Sequence, residues 1–203
     1  MAADASGELA FEHVSAQGPR VKQIRGILLV NAIDNLREWG VYDRYLEALP
    51  AHARSVLPAV IASSWVDMDV AITHYETTEN LGIDERRAQE AGDRLGDRIA
   101  KTFLGMTLRT ARSAGLDVFG FVIRRNPKMW DRMYKGGGTR MRQLGPKETV
   151  LEDFGNPIFR FPLCRVGYYA YWNSIVRLCC RDFRVTPQPS SDNARLVTHF
   201  SWR

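Results

Sequence analysis

Cysteine and histidine are scarce in this chain, and their scarcity excludes several kinds of chemistry. Its 203 residues include three cysteines and four histidines. Cys164, Cys179 and Cys180 are odd in number and two are adjacent, so no disulfide framework is implied and a reducing compartment is expected. His13, His52, His74 and His199 stand at no metal-ligand spacing from one another or from the cysteines. No zinc motif is present, and no metal or other cofactor is expected. No Gly-x-Ser-x-Gly nucleophile elbow occurs. The glycine-rich run Lys135–Thr139 does not fit a phosphate-binding loop and precedes a strand rather than a helix. No uninterrupted apolar run approaches the roughly 18 residues of a membrane span. The first twenty residues have neither the basic nor the apolar region of a secretory signal. Cytoplasmic residence is the expectation. Cys164, at the start of a helix where the dipole can lower a thiol pKa, is the one plausible nucleophile. With no base or orienting group assignable to it, no catalytic residue is designated and a non-enzymatic protein is expected.

What the chain does have is an ordinary globular composition, 45% apolar with a formal charge of +5. Its length suits one domain. Residues 1–20, rich in Ala, Ser, Gly and acids, are expected to be a flexible tail, and 21–203 a single domain. The charge is uneven. Arg109 to Lys147 holds ten basic residues and two acids, a net of +8, whereas Asp67 to Arg98 holds nine acids and four arginines. A basic side and an acidic side follow, with Arg124, Arg125, Arg132 and Arg140 as a candidate anion or partner surface. The basic stretch lacks a helix-turn-helix or RNA-binding signature, so nucleic acid is not an expected partner.

Periodicity supplies the elements. Helical spacing is read over 21–39, 42–49, 53–62 and after Ser64, through Val66, Val70 and Tyr75. A long amphipathic helix is expected over 84–115, with Ala88, Ala91, Leu95, Ile99, Phe103 and Met106 on one face. Gly92, Gly96 and Gly105 lie within it. Each costs about 1 kcal/mol relative to Ala in a helix interior, which points to close approach by another helix or to a cavity wall. Pro127 is expected to open a helix at its first turn. The period then changes to two. Residues 139–144 and 148–154 read as a hairpin, 163–180 as a helix, and 182–186 and 194–202 as strands. The fold class is therefore α+β: N-terminal helices packed on a small four-stranded antiparallel sheet, with β-β-α-β-β order at the C-terminal end.

The cluster Tyr168, Tyr169, Tyr171 and Trp172 holds more aromatics than one helix face buries. Such a surplus lines an apolar pocket or a protein interface. Phe103, Met106, Tyr168, Tyr169 and Trp172 are the candidate ligand-binding residues. Two functions follow: a sensory or regulatory domain for an apolar or aromatic small molecule, or a dimeric protein-interaction scaffold. A homodimer is expected in either case.

Several short segments carry a resemblance. They are Arg25-Gly26, Ala62-Ser63-Ser64-Trp65, Asn126 to Tyr134, Gly136-Gly137, Gly155-Asn156-Pro157, Pro162-Leu163-Cys164 and Phe200-Ser201-Trp202. Together they resemble an uncharacterised paralogous domain family abundant in myxobacteria, over roughly residues 21–203. That family is similar in layout to haem–nitric-oxide-binding (H-NOX) and 4-vinyl-reductase-like domains. The resemblance implies helices on a small antiparallel sheet and small-molecule sensing or protein contact. It does not transfer a haem site: the helix expected over 84–115 has no histidine, and His74 is the only one nearby.

Overall fold

The structure is a computed structural model and describes residues 8–203. The chain opens with strand β1 (Glu8–Val14), then the short β2 (Gln23–Arg25), which runs straight into helix α1 (Gly26–Glu38). Two short helices follow, α2 (Tyr42–Ala48) and α3 (Ala51–Arg54), then β3 (Trp65–Asp67) and α4 (Met68–Glu79). Next come α5 (Glu85–Ala100), α6 (Phe103–Ser113), α7 (Val118–Ile123) and α8 (Asn126–Met133). The C-terminal part is β4 (Tyr134–Lys135), β5 (Gly138–Gly145), β6 (Glu148–Phe154), α9 (Pro162–Cys179), β7 (Phe183–Gln188) and β8 (Leu196–Trp202).

The main sheet is antiparallel throughout, in the order β1-β5-β6-β8-β7, and a second small sheet runs β3-β2-β4. The α+β class and the β-β-α-β-β order at the C-terminal end stand. The strand number changes from four to five. Residues 8–14, expected within the tail, form an edge strand: Phe11 lies opposite Met141 and packs on the core, and Glu12 lies opposite Arg140 and pairs with it. With His13 on Asp131 as a third anchor, three side chains in seven are still too faint a signal against a polar, Ala- and Ser-rich background. The first seven residues of that expected tail lie outside the described residues.

The long helix expected over 84–115 is two helices. Asp84 caps the first, accepting from the Arg87 backbone N–H at 2.8 Å, as helix N-termini favour. The break falls at Lys101-Thr102, where the Thr102 hydroxyl accepts from the Gly105 N–H and donates to the Ile99 carbonyl. One hydroxyl thus serves both the end of α5 and the start of α6. Gly105 is required there because a Cβ would run into the backbone carbonyls of Ile99 and Ala100.

Two cores result. One gathers α1, α2 and α4 with Trp130, Ile158 and Phe159; the other lies between the main sheet and α6, α7 and α9, around Phe119, Trp172 and Phe200. In β8 the side chains of Leu196, Thr198, Phe200 and Trp202 all point inward, as the alternation predicts. Helix α5 packs directly on α9. A Cβ at Gly92 would meet Ala170 at 2.6 Å, and one at Gly96 would collide with Ser174. These glycines are thus explained by close helix approach.

Candidate functional site

Between the two cores lies a cavity of about 420 Å³, within the range of small-molecule sites. Its walls come from α1, α4, α5, α8 and α9 and the segment before α9. Helix α1 turns Leu28, Asn31, Leu36 and Trp39 toward it; α5 contributes Ala88, Ala91, Gly92, Leu95 and Ile99. The amphipathic α5 thus has its small and apolar face on the cavity. Alanine at 88 and 91 leaves space that larger residues would fill.

Of the expected ligand residues, Tyr168 and Trp172 line the cavity. Trp172 is 2% exposed, and its rings stack edge-on with Phe119 and Phe200, so it turns inward. Tyr169 packs against the helical core and is not in the wall. Phe103 and Met106 are corrected: 80% and 51% exposed on α6, they lie outside the cavity. The break at Thr102 rotates the chain, so the face read through residue 99 does not continue past it. Of the four arginines, three stand on or beside α7 and α8 and one on β5. Arg124 and Arg125 are exposed at the α7–α8 junction, with Arg125 over the Phe121 ring, and Arg132 ends α8. Arg140 is taken up by Glu12 and Glu152 across the sheet.

Two buried polar arrangements adjoin the cavity. In the first, Tyr45 Oη and His74 Nδ1 are 2.8 Å apart. His74 is 1% exposed, enclosed by the Tyr45 and Tyr75 rings, and burial lowers its pKa to about 4, so it is neutral. In the second, Asp153, 1% exposed, accepts from the Tyr168 hydroxyl and, at 3.1 Å, from Asn126 Nδ2, which also donates to Thr139 at 2.8 Å. Burial raises the Asp153 pKa to about 6, against the opposing effect of these hydrogen bonds. The Trp172 indole N–H lies near the Tyr168 oxygen and has no hydrogen-bond partner of its own. Cys164 also lines the cavity, and burial pushes its thiol up to about 12. At that value the thiol is protonated at neutral pH.

Spacing alone does not reveal the α1 wall or the Tyr45–His74 pair. Asp153 does leave a trace, as an acid in register with Thr149 and Leu151 on the inward face of β6. No described helix is long and apolar enough to cross a membrane.

No protein-family model matches the chain, and no curated protein does. Solved structures do. An H-NOX from T. tengcongensis, a point mutant, aligns with TM-score 0.57 and 12% identity over 89% of this chain and 98% of that one. An Fe(II) unliganded H-NOX mutant from K. algicida aligns with TM-score 0.57 and 9% identity over 89% and 97%. An oxygen-binding H-NOX domain related to soluble guanylate cyclases, in its oxygen complex, aligns with TM-score 0.54 and 13% identity over 89% and 95%. The chain therefore has the fold of the H-NOX domains and is distantly similar to them.

Proposed function

We propose that this protein is a non-enzymatic sensory domain that binds an apolar small molecule in the cavity between its helical core and its sheet core. One observation carries the reading: a cavity of about 420 Å³ whose lining is predominantly apolar and aromatic. The similar H-NOX structures include an oxygen complex, which supports a ligand-binding role for this architecture.

Haem is the group the fold family suggests, and the α5 face offers it no ligand. An axial ligand must present a donor atom to open space. The cavity face of α5 carries Ala88, Ala91, Gly92, Leu95 and Ile99, none of which can bind iron. Among the described residues His74 is the only histidine in the wall; it stands on α4 rather than on the α5 face, with Nδ1 paired to Tyr45. The reading is of a ligand held by burial and by a few hydrogen bonds.

Replacing Ala91 by Phe puts bulk into the cavity from α5. Native mass spectrometry and calorimetry with decanol should show binding to the parent protein and its loss in Ala91→Phe, with unfolding midpoints within about 1.5 kcal/mol of each other. Equal binding by both proteins would remove the cavity as the site.

A second reading, a dimeric interaction module, is supported by Phe103, Leu104 and Met106, exposed at the start of α6. Sedimentation showing a monomer at millimolar concentration would dismiss it.

A further inference from the structure

Among the described residues that line the cavity, Arg94 and Arg98 are the only ones with a full charge. They are one turn apart on α5, with side chains 34% and 49% exposed, so they mark the rim rather than the interior. Across the opening stands α1. The Glu38 carboxylate reaches over from it and takes both arginines at once, Arg94 through one oxygen and Arg98 through the other at 3.9 Å. Arg98 also donates to Asn31 of α1 at 3.0 Å. Glu90 stands 3.9 Å from Arg94 but is engaged by Arg86 at 2.6 Å. The rim is thus already shaped to seat one carboxylate between two guanidinium groups, directly above an apolar chamber.

Resting on the cavity-binding reading above, we propose that the ligand is an apolar molecule bearing one carboxylate. Its body fills the chamber, and its acid end takes the place of Glu38 on Arg94 and Arg98. The exchange is favourable to consider on three grounds. The Glu38 pairs are half exposed and solvent-screened, so they hold the rim weakly. Guanidinium groups bind carboxylates with paired, charge-assisted hydrogen bonds, so the incoming acid recovers what Glu38 gives up. The apolar body adds burial that Glu38 lacks. Among the described residues, no acid lines the chamber itself. Displacing Glu38 also removes its two bridges between α1 and α5, leaving the Arg98–Asn31 bond, which couples occupancy to the spacing of two helices.

Titration calorimetry with decanoate and with decanol, of equal chain length, separates the two contributions. Decanoate should bind at least roughly ten-fold more tightly than decanol. The double variant Arg94→Gln, Arg98→Gln should bring decanoate down to the affinity of decanol and leave decanol unchanged. Glu38→Gln, which removes the competitor and no cation, should tighten decanoate alone. Equal binding of acid and alcohol by the parent protein, or an equal loss of both in the arginine variant, overturns the carboxylate assignment while leaving the cavity reading in place. Binding of neither overturns both. Glu38 is an exposed surface residue, so its variant gives an answer even if the arginine pair is needed for folding.

Discussion

At the scale of single residues, the two buried titratable groups beside the cavity pull in opposite directions. Asp153, raised to about 6, holds its proton in the folded state where an unfolded carboxylate near 3.9 has lost it. Its contribution to stability is full below that unfolded value and is lost as pH rises through about 6. His74, lowered to about 4, stays neutral where an unfolded histidine near 6.5 is charged. Its contribution is present above 6.5 and is lost as pH falls toward 4. Between pH 4 and 6 the two slopes cancel in part. Denaturant midpoints of Asp153→Asn should therefore fall on acidification more steeply than those of the parent, and midpoints of His74→Phe should rise. Asp153→Asn also leaves Tyr168 or Asn126 without an acceptor, at a cost of about 1–3 kcal/mol at pH 7. A parent-like pH profile in both variants would mean that neither group titrates as its surroundings dictate. Asp153 was legible as an acid in an inward strand position, whereas the Tyr45–His74 pair joins residues 29 apart, and no local pattern connects them.

At the scale of elements, the glycines of α5 report on its neighbour. In an isolated helix Gly96→Ala gains about 1 kcal/mol from propensity. Here the new methyl meets Ser174 on α9, and overpacking of about 1–3 kcal/mol outweighs the gain. A lowered thermal midpoint for Gly96→Ala is expected, and a raised one would show that α9 can retreat. The Thr102 hydroxyl sets the boundary of the next helix, and Thr102→Ala should cost about 1 kcal/mol in urea unfolding. The capping pattern at Asp84 was readable from spacing, and so was Pro127 in the first turn of α8. The Thr102 cap was not. Hydrophobic spacing runs on through Phe103 and Met106, and periodicity carries no sign of a single interrupted turn.

At the scale of the molecule, the edge strand β1 covers one side of β5. Removing residues 1–14 exposes the backbone N–H and C=O groups of β5 as a template for pairing. Light scattering of the truncated protein should show concentration-dependent association absent from the full chain. The same whole-molecule view explains the cavity. Helix α5 is held at close range by α9 through glycine contacts, while α1 faces it across the mouth through side-chain bridges. Tight packing on one side and an open seam on the other leave the chamber between the two cores.

Local chemistry in the chain determined the helices, the C-terminal hairpin and the inward face of β8, because alternation, caps and prolines act within a few residues of where they are read. Only the tertiary structure decided which faces meet. That a wall of α1 opposes the small face of α5, that Trp172 points inward while Phe103 and Met106 face water, and that Glu38 lies on Arg94 all depend on contacts between distant segments. Such contacts depend on how whole elements pack, and packing is a property of shape that no single stretch of sequence carries.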